Sequence, residues 1–258
     1  MILAIDIGNT NIVAGCIQGD EILFVERIKT DTSKTALEYV VLFQALMHLH
    51  DIEKTDIEGA VISSVVPPIN TTIIGAVEKM YGITPILVGP GVKTGVNILV
   101  DDPATVGADL IVDAVAGLKY YGAPLIMIDM GTATTISVLD KNKNYIGGMI
   151  MPGVRVSMDS LVNRTSQLPR ISLEAPKKAI GSNTVDCMKS GIILGQAASI
   201  DGTIDRILDE LGYDAKIVAT GGLVSSIVPN CKHEIIIDNE LILKGLKLIY
   251  EKNTQKNN

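Results

Sequence analysis

The chain has 258 residues, 47% of them hydrophobic and 20% charged, with a formal net charge of −7. That composition supplies a substantial core for one or two domains and excludes a disordered or low-complexity chain. No basic patch stands out, so neither nucleic acid nor an acidic membrane surface is an expected partner.

The first element predicted is a strand ending in Leu3-Ala4-Ile5-Asp6-Ile7-Gly8-Asn9-Thr10. It is apolar only for the length of a strand, so it is not expected to be a signal peptide, and no later stretch reaches the about 18 apolar residues of a membrane span. A second strand, Ile12 to Ile17, a turn at Gln18 to Glu21 and a third strand, Ile22 to Ile28, follow. Residues 33–49 carry helical spacing, Gly59 to Val65 reads as a buried strand, Pro67-Pro68 as a turn, Thr84 to Val88 as a strand, and 105–120 as a helix.

The plan then repeats. Ile126-Met127-Ile128-Asp129-Met130-Gly131-Thr132-Ala133 echoes the opening strand, with strands Thr135 to Leu139 and Tyr145 to Met151 around a turn at Asp140 to Asn144. A helix at 154–165, strands at Lys216 to Thr220 and Glu234 to Ile237, the turn Gly221-Gly222 and a helix at 239–251 complete the second copy. Segments 89–104, 152–159 and 166–190 fit the repeat poorly, and loops of that length are often functional. The tail, Lys252 to Asn258, is polar and expected to fray.

The expected architecture is therefore α/β: a duplicated fold of two lobes, residues 1–118 and 119–258, each with a mixed five-stranded sheet, and a cleft between them. Trp is absent and Phe plus Tyr total nine, so the core is expected to be aliphatic, with Ile- and Val-rich strands buried on both faces. Cys16, Cys187 and Cys231 form no Cys-x-x-Cys pair. They suggest neither zinc nor a disulfide framework, fit a reducing cytoplasm, and are expected to be buried small hydrophobes.

Four segments carry chemistry. In Asp6-Ile7-Gly8-Asn9-Thr10-Asn11, Gly8 permits a tight turn, the following amides and hydroxyls suit phosphate oxygens, and Asp6 suits hydrated Mg²⁺. Taken alone, such a turn more often closes an ordinary hairpin; its copy, Asp129 to Thr135, favours the phosphate reading. Ala219-Thr220-Gly221-Gly222 exposes backbone where a flat nucleotide could lie, or is a plain strand–helix turn. Gly107-Ala108-Asp109-Leu110 opens a helix, where Asp109 is either a dipole-favoured solvated acid or a general base. His48, His50 and His233 show no catalytic setting, and neither a Gly-x-x-x-x-Gly-Lys-Ser/Thr loop nor a Gly-x-Ser-x-Gly elbow occurs.

In this order, these motifs resemble the type III pantothenate kinases of the actin-like superfamily. The resemblance also takes in Lys93-Thr94-Gly95, Pro103 to Asp109, Gly147-Gly148, Pro152-Gly153, Leu168-Pro169, Ile180 to Thr184, Ser190-Gly191 and Leu243 to Leu246. It implies a cytoplasmic homodimer that phosphorylates pantothenate with ATP and Mg²⁺, the first step toward coenzyme A. It further implies ATP contacts from Asp6, Ile7, Gly8, Asn9, Thr10, Asn11, Ile12 and Val13, with Thr132, and nucleotide-side contacts from Gly221 and Gly222. Asp109 is implied as general base and Asp129 as the ligand of a monovalent cation, K⁺ or NH₄⁺. The acceptor contacts implied are Val100, Gly107, Ala108, Asp109, Leu110 and Thr184. The family carries Arg where this chain has Leu110, and Leu cannot pair a carboxylate bidentately. That departure leaves open a paralogue acting on another small hydroxylated acceptor, or an ATP-binding regulatory protein. Lys189 and Arg155 are candidate replacements for the lost charge.

Overall fold

A computed structural model describes residues 1–255. In chain order the elements are β1 (Ile2–Ile7), β2 (Asn11–Gln18), β3 (Glu21–Lys29), α1 (Ala36–Leu49), β4 (Gly59–Ser64), α2 (Pro67–Tyr81), β5 (Ile86–Leu87), β6 (Asn97–Ile98) and α3 (Ala108–Tyr120). There follow β7 (Leu125–Met130), β8 (Ala133–Leu139), β9 (Asn144–Pro152), α4 (Val154–Arg164), α5 (Thr184–Leu211), β10 (Lys216–Thr220), α6 (Val224–Ile227), β11 (Ile236–Ile237) and α7 (Leu241–Thr254). The chain forms two compact units: one of Met1–Gly95, Asp102–Ala116 and the segment from Ile242, the other of Val96–Asp101 and Gly117–Leu241. Helix α7, which the sequence groups with the second half, thus belongs to the first unit.

The first unit holds a five-stranded sheet in the order β3-β2-β1-β4-β5. Strand β1 pairs antiparallel with β2 and parallel with β4, with Asp6 opposite Val13 and Ser63. Alternate residues Leu3, Ile5 and Ile7 join Ile62 in a core closed by Tyr39 and Phe43 of α1 and Ile69 and Ile73 of α2. The other face, bearing Ala4 and Asp6, takes α7. A Cβ at Gly15, opposite Ala4, would overlap the Leu243 side chain, and one at Gly59, opposite Ile2, would overlap Tyr250. Helix α3 packs in turn on α7, where Gly245 meets the Val112 backbone. A reciprocal cap opens α1: Thr35 N donates to Glu38 Oε2 at 2.8 Å, and Glu38 N donates to Thr35 Oγ1 at 3.4 Å.

The second unit repeats the meander and the parallel crossover in the order β11-β10-β7-β8-β9-β6. Its sheet has six strands rather than the expected five, because Asn97 and Ile98 pair parallel with Asn144 and Tyr145. Its core joins Ile126, Ile128 and Ile136 to Ile193, Ile200 and Ile204 of α5.

Three other expectations are corrected. Pro67 and Pro68 open helix α2, because proline at a first helical position forgoes an N–H that would be unpaired anyway. Residues 184–190, read as loop, begin the 28-residue α5, with Asn183 accepting from Asp186 N at 2.9 Å and Gly212 ending it in the left-handed region. Cys187 is exposed, whereas Cys16 is buried, its thiol pushed up to about 11 by desolvation. Residues Lys252 to Thr254 continue α7, and 256–258 lie outside the described residues. Among the described residues no helix is long and apolar enough to cross a membrane.

The α3–α7 contact gives a direct test of the fold. A Cβ at Gly245 would fall within 3.0 Å of the Val112 backbone, which has no rotamer to yield. Gly245→Ala is expected to cost about 1–3 kcal/mol, a fall of roughly 3–10 °C in the thermal midpoint by calorimetry.

Candidate active site

In the first unit, chemistry gathers at the carboxyl end of β1 and β4. Asp6 is half-buried on the sheet face that α7 covers. The chain then reverses at Gly8, whose N–H donates to the Asn11 carbonyl at 3.0 Å. From β3's end, Thr30 Oγ1 donates to the Gly8 carbonyl at 2.6 Å and Thr30 N to the Thr10 carbonyl at 3.0 Å. The loop is therefore pinned from beneath, while Asn9, Thr10 and Asn11 stand exposed. Ile7 and Ile12 are fully buried in the core, so they offer a ligand backbone only.

Asp109 reaches the same place from α3. The Ile7 carbonyl accepts from Val65 N at 3.0 Å, which fixes Val65 just beyond both strand ends. A Cβ on Gly107 would lie 3.7 Å from Val65 Cγ1 and 2.5 Å from Asp109 Oδ1. The carboxylate thus folds back over Gly107, beside the ends of β1 and β4. The Leu110 N–H donates to Oδ1 at 2.8 Å. Burial pushes the Asp109 carboxyl above the usual carboxylate range, opposed by the Leu110 and Asp109 amides. Of the two readings the sequence left open, a solvated first-turn acid does not fit this setting. A desolvated carboxylate fits a proton acceptor.

The second unit builds its counterpart at the carboxyl end of β7 and β10. Asp129 is paired with Thr135 of β8 and Thr220 of β10. After Thr220 the chain passes through Gly221 at φ +104, where a Cβ would fall 2.6 Å from Asp129 Oδ1 and from Met130 N. Only glycine permits that approach. Thr132 is exposed in the turn, and Gly153 lies against the carbonyls of Gly131 and Thr132 so closely that no side chain fits. Asp129 and Gly221 therefore come together, with Gly222 open to solvent beside them.

Val100 and Thr184 also belong to the second unit, and Gly107 to Leu110 to the first. Val100 sits against Gly147 of β9, and Thr184 is the exposed first residue of α5. Lys189 is not free to stand in for an arginine: its ammonium is bound to Glu174 Oε2 at 2.9 Å.

Two hydroxyl residues flank the two strand-end carboxylates, Ser63, which the sequence reading did not single out, and Thr135, the last residue of the Asp129 to Thr135 segment. Ser63 is the β4 neighbour of Asp6, and Thr135 the β8 neighbour of Asp129. The hydroxyls of both are buried with no hydrogen-bond partner. A buried hydroxyl without a partner is costly, and a bound ion or its water would supply one. With carboxylate and hydroxyl oxygens, each set suits a hard cation. No group of three or more His, Cys, Asp or Glu able to hold a metal occurs among the described residues, so neither set is a dedicated protein cage.

Comparison with known proteins shows the fold and the family. Solved structures similar to this chain include a Baf family protein from Campylobacter jejuni described as a transcriptional activator, at 18% identity, TM-score 0.59 and coverage of 97% and 98% of the two chains. Component A of the (R)-2-hydroxyglutaryl-CoA dehydratase of Acidaminococcus fermentans matches at 12% identity, TM-score 0.58 and 98% and 99% coverage. Such likeness shows the actin-like fold. Curated relatives named type III pantothenate kinase occur in Geobacillus sp. (strain WCH70), 44% identical over 99% of both chains, and in Halalkalibacterium halodurans, 44% identical over 98% of this chain and all of the other. The description of that same family matches residues 2–206, and the chain belongs to the type III pantothenate kinase family.

Proposed function

We propose that this protein transfers the γ-phosphoryl group of ATP to the primary hydroxyl of pantothenate, giving 4′-phosphopantothenate, the first step of coenzyme A biosynthesis. The observation that carries the reading is the desolvated Asp109 carboxylate beside the same strand ends that carry the pinned Asp6 turn. Phosphoryl transfer needs little covalent help from the protein. It needs the phosphates held, the nucleophile aligned and its proton received.

The residues divide accordingly. The backbone of residues 6–13, with Thr132, holds the phosphates, and Gly221 and Gly222 line the nucleotide side. Asp6 holds Mg²⁺ through water, with Ser63 alongside, and the ion when bound neutralises charge on the phosphate oxygens. Asp129 holds K⁺ or NH₄⁺, with Thr135 alongside. Gly107, Ala108, Leu110, Val100 and Thr184 shape the acceptor site, and Asp109 takes the hydroxyl proton. Leu110 favours a second reading, a different small hydroxylated acceptor, because a neutral side chain stands where relatives of this family carry arginine.

A second copy of this chain completes the assembly in this reading. Strand β9 shows Ile146 and Ile150 on its outer side, Ile150 with 77% exposure, and beyond Tyr145 its edge has no strand partner among the described residues. An open apolar edge of this kind suits self-pairing.

Incubation with ATP, Mg²⁺, K⁺ and pantothenate should yield a product heavier by one phosphate by mass spectrometry. No product with pantothenate, but turnover in a screen of other hydroxy acids, supports the second reading instead. Asp109→Asn is expected to lower kcat/KM by about 10²–10⁴-fold. Because burial raises the Asp109 pKa, the base is lost by protonation on acidification at a pH above the ordinary carboxylate range near 4. The acid limb of kcat/KM against pH should therefore sit above that value with unit slope, and should vanish in the Asn variant. Ile150→Arg should convert the dimer to a monomer by light scattering coupled to gel filtration; an unchanged mass would remove β9 from the interface.

A further inference from the structure

The segment 171–183 has no helix or strand of its own, yet it is tied to α5 at four positions. Ile171 and Leu173 pack on the second-unit core. Next, Lys189 Nζ donates to Glu174 Oε2 at 2.9 Å, and Lys189 is four-fifths buried while Glu174 is exposed. The ammonium beside Glu174 holds its carboxyl below the usual range, with a contribution from Ser172. Ser190 Oγ donates to the Ala179 carbonyl. Cys187 Sγ lies 3.4 Å from the Gly181 carbonyl, and Asn183 caps the helix. Positions 174, 179, 181 and 183 thus meet 189, 190, 187 and 186: the segment runs back along the first two turns of α5.

Gly181 is the tightest point of this arrangement. A Cβ there would fall within 3.0 Å of the Cys187 N, the Asp186 carbonyl carbon and the Cys187 Cα. These are helix backbone atoms and cannot move aside. Its neighbour Ile180 is 88% exposed, so the strap turns an apolar side chain outward between two anchored residues. Three residues on, the chain delivers Thr184, the first residue of α5.

We propose that residues 171–183 are a strap that positions Thr184 for the acceptor, and that Gly181 and Lys189 are positioning residues for acceptor binding. This rests on the reading of Thr184 as an acceptor contact. The strap spends its ordering entropy at folding rather than at binding, so the acceptor meets a formed surface. Loosening it should then raise the acceptor KM and leave the nucleotide side unchanged.

The test uses Gly181→Ala, Lys189→Met, Lys189→Arg and the charge exchange Lys189→Glu with Glu174→Lys, all in the full chain. Gly181→Ala is expected to raise the pantothenate KM about tenfold or more and Lys189→Met roughly two- to fivefold, consistent with the small worth of a part-exposed ion pair. The ATP KM and kcat should hold, and Lys189→Arg and the exchange should return KM toward the parent value. An unchanged pantothenate KM in Gly181→Ala, or equal rises for ATP and pantothenate, overturns the proposal. Amide hydrogen exchange of the free protein provides a readout independent of turnover. Gly181→Ala must speed exchange across 171–183, and unaltered protection refutes the strap even if pantothenate proves not to be the acceptor. A parent chain inert toward pantothenate with faster exchange in the variant instead refutes the acceptor assignment on which Thr184's role depends.

Discussion

The site depends on one constraint: a carboxylate must be held at the carboxyl end of a strand buried on both faces, with backbone rather than side chains crowding it. Asp6 and Asp129 each close such a strand, flanked by a parallel and an antiparallel partner. The apolar residues before them fix the register, since a slip of one place would turn the carboxylate into the core and an isoleucine out. Glycine then brings chain past the carboxylate. Gly221 does so with a backbone conformation that side chains rarely adopt, and Gly8 by a turn that closes on Asn11. Charge is thus placed by main-chain geometry, which helps an acidic chain handle phosphates without a basic cluster.

Asp109 obeys a different logic. Asp6 sits in a turn beside exposed polar residues, whereas Asp109 is drawn over Gly107 toward Val65 and loses water. The same residue type therefore sits in two environments: one carboxylate half-buried beside a glycine turn, the other raised in proton affinity by burial. Leu110 brings no charge to the carboxylate, so burial is the leading influence on Asp109, opposed by the Leu110 and Asp109 amides.

What could be read from the sequence follows from how local each feature is. The two Asp-x-Gly turns were legible because strand, carboxylate and glycine are adjacent in the chain, and duplication of the order around them gave the fold. The sixth strand was not, because Asn97 and Ile98 form it only by meeting Asn144 and Tyr145. Helix α5 went unread for a related reason. Gly191, Gly195 and Gly202 lower its intrinsic propensity, and the helix is held by burial of Ile193, Ile200 and Ile204 instead. Ser63 carried no signal, since a hydroxyl in a strand is ordinary until its neighbour across the sheet is known to be the site carboxylate, and Thr135 was legible only as the end of the Asp129 segment.

Gly181 marks the same limit from the other side. In the sequence it belongs to a short run, Ile180 to Thr184, with nothing to separate a flexible loop from a fixed one. In the fold, its missing side chain lets the main chain lie against the first turn of α5, so glycine there makes the segment more ordered, not less. The entropy cost of glycine is met by three side chains of the helix it touches, Cys187, Lys189 and Ser190, which bind Gly181 itself, Glu174 and Ala179. Long segments without secondary structure are often taken for moving lids. This one has the opposite construction, and its physical role is to bring Thr184 to a fixed place before any ligand arrives.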